Sequence, residues 1–168
     1  MMSARTGFTD LGGADGDVAD LFRASYPDMV RLAGLLGADD PEDIAQEAFA
    51  RLMQKVPPPD DPAPYLRTIV CNLTRNRHRH LRVARARAVQ GVPEPSSEHA
   101  AILREDQAEL VAALGTLPPR RREAIVLRYW LDLSEREIAQ AMGVPAGTVK
   151  SHVSRGLAAL AQALEAKA

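Results

Sequence analysis

Residues 134–160 read SEREIAQAMGVPAGTVKSHVSRGLAAL. Ser134 followed three residues later by Glu137 is a capping box, which fixes a helix start. Ile138, Ala139 and Met142 give that helix an apolar face, with a small residue where a second helix must cross closely. Gly143 ends it by supplying the positive φ that a tight turn requires. Val144 anchors the turn, and Pro145 opens a second helix with an expected buried stripe of Val149, Val153, Leu157 and Leu160. Its outer face carries Thr148, Lys150, Ser151, Ser154 and Arg155. This spacing predicts a helix-turn-helix whose second helix enters the major groove by its N-terminal part. Lys150 and Arg155 can donate to guanine or phosphate, and Thr148 and Ser151 can reach base or backbone. An ordinary helical hairpin with a solvated polar face is the competing reading. His152, beside the stripe, fits packing or DNA contact equally.

Upstream, Pro118 and Pro119 open a helix containing Ile125, Val126 and Tyr129, and Leu110, Val111 and Leu114 mark another. Residues 88–100 contain Gly91, Pro93, Pro95, Ser96 and Ser97, the composition of a flexible linker. Before it, a helix from about Pro64 to Arg87 places Leu66, Ile69, Val70 and Leu73 on a buried face. Arg75, Arg79 and Arg82 fall on roughly the opposite side. Asp40 can cap the preceding helix, with Pro41 in its first position and Glu42 and Asp43 in its first turn. Ile44, Ala48, Phe49 and Leu52 form its apolar stripe, while Asp43, Gln46, Glu47 and Ala50 face away. A first helix starts near Asp17 and closes at Gly37, with Pro27 able to kink or split it. Strand signals are weak throughout. The fold class is therefore all-α, in two small helical domains, 17–87 and 102–168, joined by a flexible linker, 88–101, after a mobile tail, 1–16.

The chain has 168 residues and a net charge of −1, and that neutrality hides charge blocks. Residues 10–61 carry a balance of −8, residues 62–87 one of +7 with no acid, residues 88–117 one of −4 and residues 118–168 one of +3. Such blocks suit separate partners, the basic ones a polyanion. Six arginines without an acid in residues 75–87 argue against mere solubility. The single cysteine, Cys71, excludes a disulfide scaffold and a Cys-based zinc site, and fits a reducing cytoplasm. Its place beside Ile69 and Val70 favours a packed, inert thiol over a redox sensor. No apolar run approaches the ~18 residues that span a bilayer, so no membrane insertion is expected. His78 and His80 stand at i, i+2 among arginines, on different helix faces, so no metal site is expected. Without a phosphate loop, nucleophile elbow or H-E-x-x-H helix, the expectation is a non-enzyme without cofactors.

Three stretches together resemble a sigma factor of the sigma-70 family, in the extracytoplasmic-function (ECF) group that keeps only regions 2 and 4, and in particular its actinobacterial sigma-E-like variant. Residues 117–160, LPPRRREAIVLRYWLDLSEREIAQAMGVPAGTVKSHVSRGLAAL, are similar to region 4. Residues 40–56, DPEDIAQEAFARLMQKV, are similar to region 2.2, and residues 64–82, PYLRTIVCNLTRNRHRHLR, to regions 2.3 and 2.4. A helix-turn-helix alone is common; its pairing with an acidic and a basic helix upstream is more specific. The resemblance implies promoter-directed transcription initiation with core RNA polymerase and promoter DNA as partners, and it admits an anti-sigma factor. It implies that Asp43, Gln46 and Glu47 bind core polymerase, and that Asn72, Arg75, Arg77, Arg79 and Arg82 serve the −10 element. It implies that Thr148, Lys150, Ser151, Ser154 and Arg155 serve the −35 element. Asn72 fits a base-reading amide or a plain helix-surface asparagine. If the arginine helix neutralises about five phosphates, log K should fall against log salt with a slope of ~ −4.5.

The chain departs from the family pattern in three places. Val56 to Pro64 is short and proline-rich where many relatives have a longer loop. Tyr65 stands where many have Trp, and it fits a thin stacking platform or the core. Ser154 replaces a bulkier residue. A helix-turn-helix regulator that never joins polymerase remains the alternative function.

Overall fold

The computed structural model describes residues 16–87 and 105–166, all helix, turn and loop. Residues 1–15 of the expected mobile tail and the whole of the expected linker, 88–101, lie outside the described residues, while Gly16 opens the first helix. Seven helices follow in order: α1 (Gly16–Leu35), α2 (Pro41–Gln54), α3 (Pro62–Arg87), α4 (Glu105–Gly115), α5 (Pro119–Ile125), α6 (Glu135–Met142) and α7 (Ala146–Glu165).

Helix α1 runs unbroken through Pro27. A proline there removes one backbone bond, yet Leu21, Met29, Leu32 and Ala33 are buried on both sides of it, and packing of that face holds the helix where propensity alone would interrupt it. Its end is a Schellman turn: Ala38 N donates to Ala33 O and Gly37 N to Gly34 O, both at 3.0 Å, with Gly37 at φ +88°. Helix α2 starts as its sequence dictates, with Asp43 N donating to Asp40 Oδ1 at 3.1 Å. Helix α3 starts two residues earlier than expected, because Asp61 Oδ1 accepts from Ala63 N at 3.2 Å and provides the cap.

Helices α1, α2 and α3 pack together around Leu32, Ile44, Leu66 and Val70, each completely buried. Helices α5, α6 and α7 pack around Leu127, Ile138, Met142 and Val149, with α4 against α7. The two groups share one continuous apolar core rather than standing apart, because α3 packs on α6 as well as on α2. Helix α5 does not stop at Ile125. It continues as a wide turn over Val126–Trp130, closed by an i→i+5 bond from Leu131 N to Val126 O at 3.4 Å. Nothing in the sequence pattern signalled that turn.

Candidate nucleic-acid and polymerase surfaces

The helix-turn-helix is built from local rules. Glu137 N donates to Ser134 Oγ at 3.2 Å and starts α6. Gly143, at φ +67°, ends it in a second Schellman turn, with Val144 N on Ala139 O at 3.1 Å. Helix α7 then presents Lys150, Ser154 and Arg155 to solvent, with Thr148 and Ser151 half-buried beside them. Val149 is completely buried and Val153 and Leu160 are half-buried. Leu157 departs from the expected stripe: it is 40% exposed. The reason is Gly156, which is buried against α5. A Cβ there would lie 2.8 Å from Ile125 Cγ1, so α7 crosses α5 at this glycine and Leu157 turns aside. It lines an open apolar groove of about 230 Å³ with Leu35, Leu110, Tyr129, Trp130 and Leu160.

The turn is held from outside. Arg120 donates through Nη2 to Met142 O at 2.9 Å and through Nη1 to Glu123 Oε2 at 2.8 Å. His152 is half-buried near this group. Burial, with the Arg120, Arg121 and Arg155 guanidiniums, lowers its pKa against an opposing pull from Glu123, a shift that favours the neutral imidazole.

The acidic face of α2 is already engaged. Arg77, expected on DNA, reaches across from α3 to Asp43 and, at 3.3 Å, to Glu47 Oε2. Arg51 also holds Glu47, at 2.9 Å. Gln46 Nε2 donates to Tyr26 Oη at 3.3 Å, and Tyr26 stacks on Phe22 with ring centroids 4.5 Å apart. Of the five candidate −10 residues, Asn72, Arg79 and Arg82 are exposed. Arg75 is not: its Nε donates to Glu123 Oε1 at 2.5 Å, joining α3 to α5. Tyr65 is half-buried, with Lys55 Nζ 5.7 Å above its ring.

Sequence reasoning passed over the run Arg120, Arg121, Arg122, Glu123. Arg122 donates from Nη1 to Leu36 O at 3.0 Å and from Nη2 to Gly115 O at 3.0 Å. Burial lowers its pKa, opposed by Glu123. Cys71 is completely buried. Burial, with the Glu123 carboxylate, pushes its thiol up to about 12, the nearby arginines only partly offsetting this, so the thiolate is scarce at neutral pH. Among the described residues no cluster of three or more His, Cys, Asp or Glu side chains is placed to hold a metal ion. No described helix is long and apolar enough to cross a membrane.

Described residues that are all helix, turn and loop, with an exposed polar face on the second helix of a helix-turn-helix, a basic helix and an acidic helix, have the parts of a DNA-binding transcription protein. Comparison with known proteins narrows the class. Residues 21–84 match the Sigma-70 region 2 family and residues 107–160 the Sigma-70, region 4 family. The RNA polymerase sigma-E factor of Streptomyces coelicolor is 34% identical over 131 residues, covering 76% of this chain and 73% of the relative. The ECF RNA polymerase sigma factor SigW of Bacillus subtilis is 31% identical over 168 residues, covering 90% of this chain and 89% of the relative. The chain belongs to the sigma-70 family of RNA polymerase sigma factors, in its ECF group. Solved structures agree in fold. The sigma factor RpoE of Bartonella quintana, in complex with the anti-sigma factor NepR, gives a TM-score of 0.66 at 22% identity, over 89% of this chain and 97% of that one. CnrH, in complex with the cytosolic domain of CnrY, gives 0.68 at 23% identity, over 93% and 92%.

Proposed function

We propose that the chain joins core RNA polymerase through the α2 face of Asp43, Gln46 and Glu47 and directs it to promoters. In this reading Asn72, Arg75, Arg77, Arg79 and Arg82 on α3 serve the −10 element. Thr148, Lys150, Ser151, Ser154 and Arg155 on α7 serve the −35 element. The protein acts in the cytoplasm, where polymerase and chromosome meet, and it catalyses nothing itself; RNA synthesis belongs to the polymerase. The solved complex of RpoE with the anti-sigma factor NepR supports a corresponding anti-sigma partner for this chain. The domain division follows the two reading surfaces, one in residues 17–87 and one in residues 102–168, on either side of the segment 88–101.

The observation that carries this reading is the exposure of the α7 face, Lys150, Ser154 and Arg155, in a chain that also holds an acidic α2 and a basic α3. A protein acting alone at an operator gives α2 no task. The test is transcription in vitro from genomic DNA with core RNA polymerase, mapping transcript 5′ ends. Start sites that require the protein and disappear with the Asp43→Lys, Glu47→Lys double variant are the expected result. Absence of both initiation and association with core enzyme overturns it in favour of a free-standing helix-turn-helix regulator.

A further inference from the structure

Arg75 and Glu123 belong to different halves of the chain, 48 residues apart, yet they form the best-shielded ion pair among the described residues. The Glu123 side chain is 4% exposed and that of Arg75 23%. Both carboxylate oxygens are used: Oε1 takes Arg75 Nε at 2.5 Å and Oε2 takes Arg120 Nη1 at 2.8 Å. A carboxylate presented to a guanidinium in this way offers the same chemistry as a phosphate oxygen.

The seam around the pair is built for close approach. Arg122 crosses it to Leu36 O at 3.0 Å. Gly37 leaves room for that guanidinium, since a Cβ there would stand 2.1 Å from Arg122 Nη1. His78 Nε2 lies 2.8 Å from Gly37 O on the same side. The pair is nonetheless incomplete. Arg75 Nη2 is buried with no hydrogen-bond partner, and an orphaned donor of a charged group weakens the closed state. A DNA phosphate, with several free oxygens, satisfies that nitrogen as Glu123 does not.

We propose that Glu123 is an internal stand-in for a DNA phosphate: it clamps Arg75 in a closed form of the free chain, and opening of the two halves exchanges this contact for one with nucleic acid. The inference rests on the reading of Arg75 as a DNA contact. It does not depend on polymerase. The recognition face of α7 stays exposed in the closed form, so the clamp withholds part of one DNA-reading surface and leaves the other free. Apparent affinity for DNA is then reduced by the fraction of molecules that are open.

The test uses the full chain and no polymerase. Fluorophores at Ala50→Cys and Gln162→Cys, both exposed sites on α2 and α7, report the separation of the halves, in a Cys71→Ala background so that opening of the seam adds no third label. Binding to a random-sequence 30-base-pair duplex is measured across a salt series. Glu123→Gln should lengthen or broaden the distance distribution and raise DNA affinity about three- to tenfold by freeing the open form. It should also steepen the log–log salt slope by ~0.9, the signature of one added phosphate contact on duplex DNA. Arg75→Gln removes the pair from its more exposed side and keeps the test open should Glu123→Gln fold poorly. It should lengthen the distance without steepening the slope. An unchanged distance in both variants overturns the clamp. A longer distance in Glu123→Gln with an unchanged slope overturns the masking of Arg75. Failure of the separate transcription test, with opening and steepening as expected here, would instead count against the sigma-factor assignments above.

Discussion

Arg120 and Met142 are joined by a 2.9 Å hydrogen bond from a guanidinium nitrogen to the last backbone carbonyl of α6. Helix α5 thereby straps the turn of the helix-turn-helix. The same side chain neutralises one oxygen of the buried Glu123. Arg120→Ala removes a charge-assisted bond and leaves Glu123 with fewer partners, so it should lower stability by about 2–3 kcal/mol. Urea denaturation of the full chain reads this; a change below about 0.5 kcal/mol, within the usual range for neutral surface substitutions, would show that the strap is ornamental.

Gly156 sits where α7 crosses α5, and a methyl group there would meet Ile125 Cγ1 at 2.8 Å and Arg121 O at 3.3 Å. Backbone cannot move aside as a flexible chain end can. Gly156→Ala gains helix propensity, yet overpacking should dominate and cost about 1–3 kcal/mol. A thermal melt with an unchanged or raised midpoint contradicts this close crossing.

Arg77 bridges Asp43 and Glu47 on a surface that is partly solvated. Arg77→Ala should therefore change stability by no more than about 1 kcal/mol. Reversing Asp43 and Glu47 to lysine should weaken association with core polymerase about tenfold or more, because opposing charges set both encounter and register. Co-purification at moderate salt distinguishes the two; equal retention of the reversed variant would remove α2 from the interface.

The His152 pKa lies below its ordinary value, through burial and then through three nearby guanidiniums. The unfolded chain therefore takes up the proton first as pH falls. The stability linked to His152 is present above the unfolded pKa of about 6.5 and is lost as pH falls toward the lower folded pKa. Denaturation midpoints should rise from pH 5 to pH 7, and His152→Asn should flatten part of that rise. Parallel profiles for the two proteins would show that the imidazole is not involved.

Cys71, completely buried with its pKa near 12, should react with a thiol reagent at pH 8 more than about tenfold slower than an unperturbed cysteine. In denaturant the rate should become ordinary. Rapid labelling of the folded chain would mean that the α3–α5 seam opens often.

Where the controlling interaction is local, the sequence was legible. Ser134 with Glu137, Gly143, and Asp40 with Pro41 each act within four residues, and each appears where the pattern placed it. Pro27 misled because its effect on the backbone is local while the packing that overrides it is not. Leu157 misled for a related reason. A 3.6-residue stripe puts it inside, but the glycine before it sets the crossing point on α5. Arg75 and Arg77 were visible as basic residues, whereas their acids lie 48 and 34 residues away. No periodicity connects such pairs. The run Arg120 to Glu123 reads in sequence as ordinary surface charge; only the folded chain shows that two of its four side chains, Arg122 and Glu123, cross the seam between the halves.

The wide turn at Val126–Trp130 has a consequence for register. Inserting one residue into a helical turn advances the angular phase of everything after it by roughly 100°. Ile125, Val126 and Leu127 remain in the core, while Tyr129 and Trp130 emerge toward solvent. The aromatic wall of the groove is thus set by the count of residues in one turn as much as by their identity. Deleting a single residue between 126 and 130 would rotate that wall inward and disturb the groove more than exchanging either ring for another large apolar side chain.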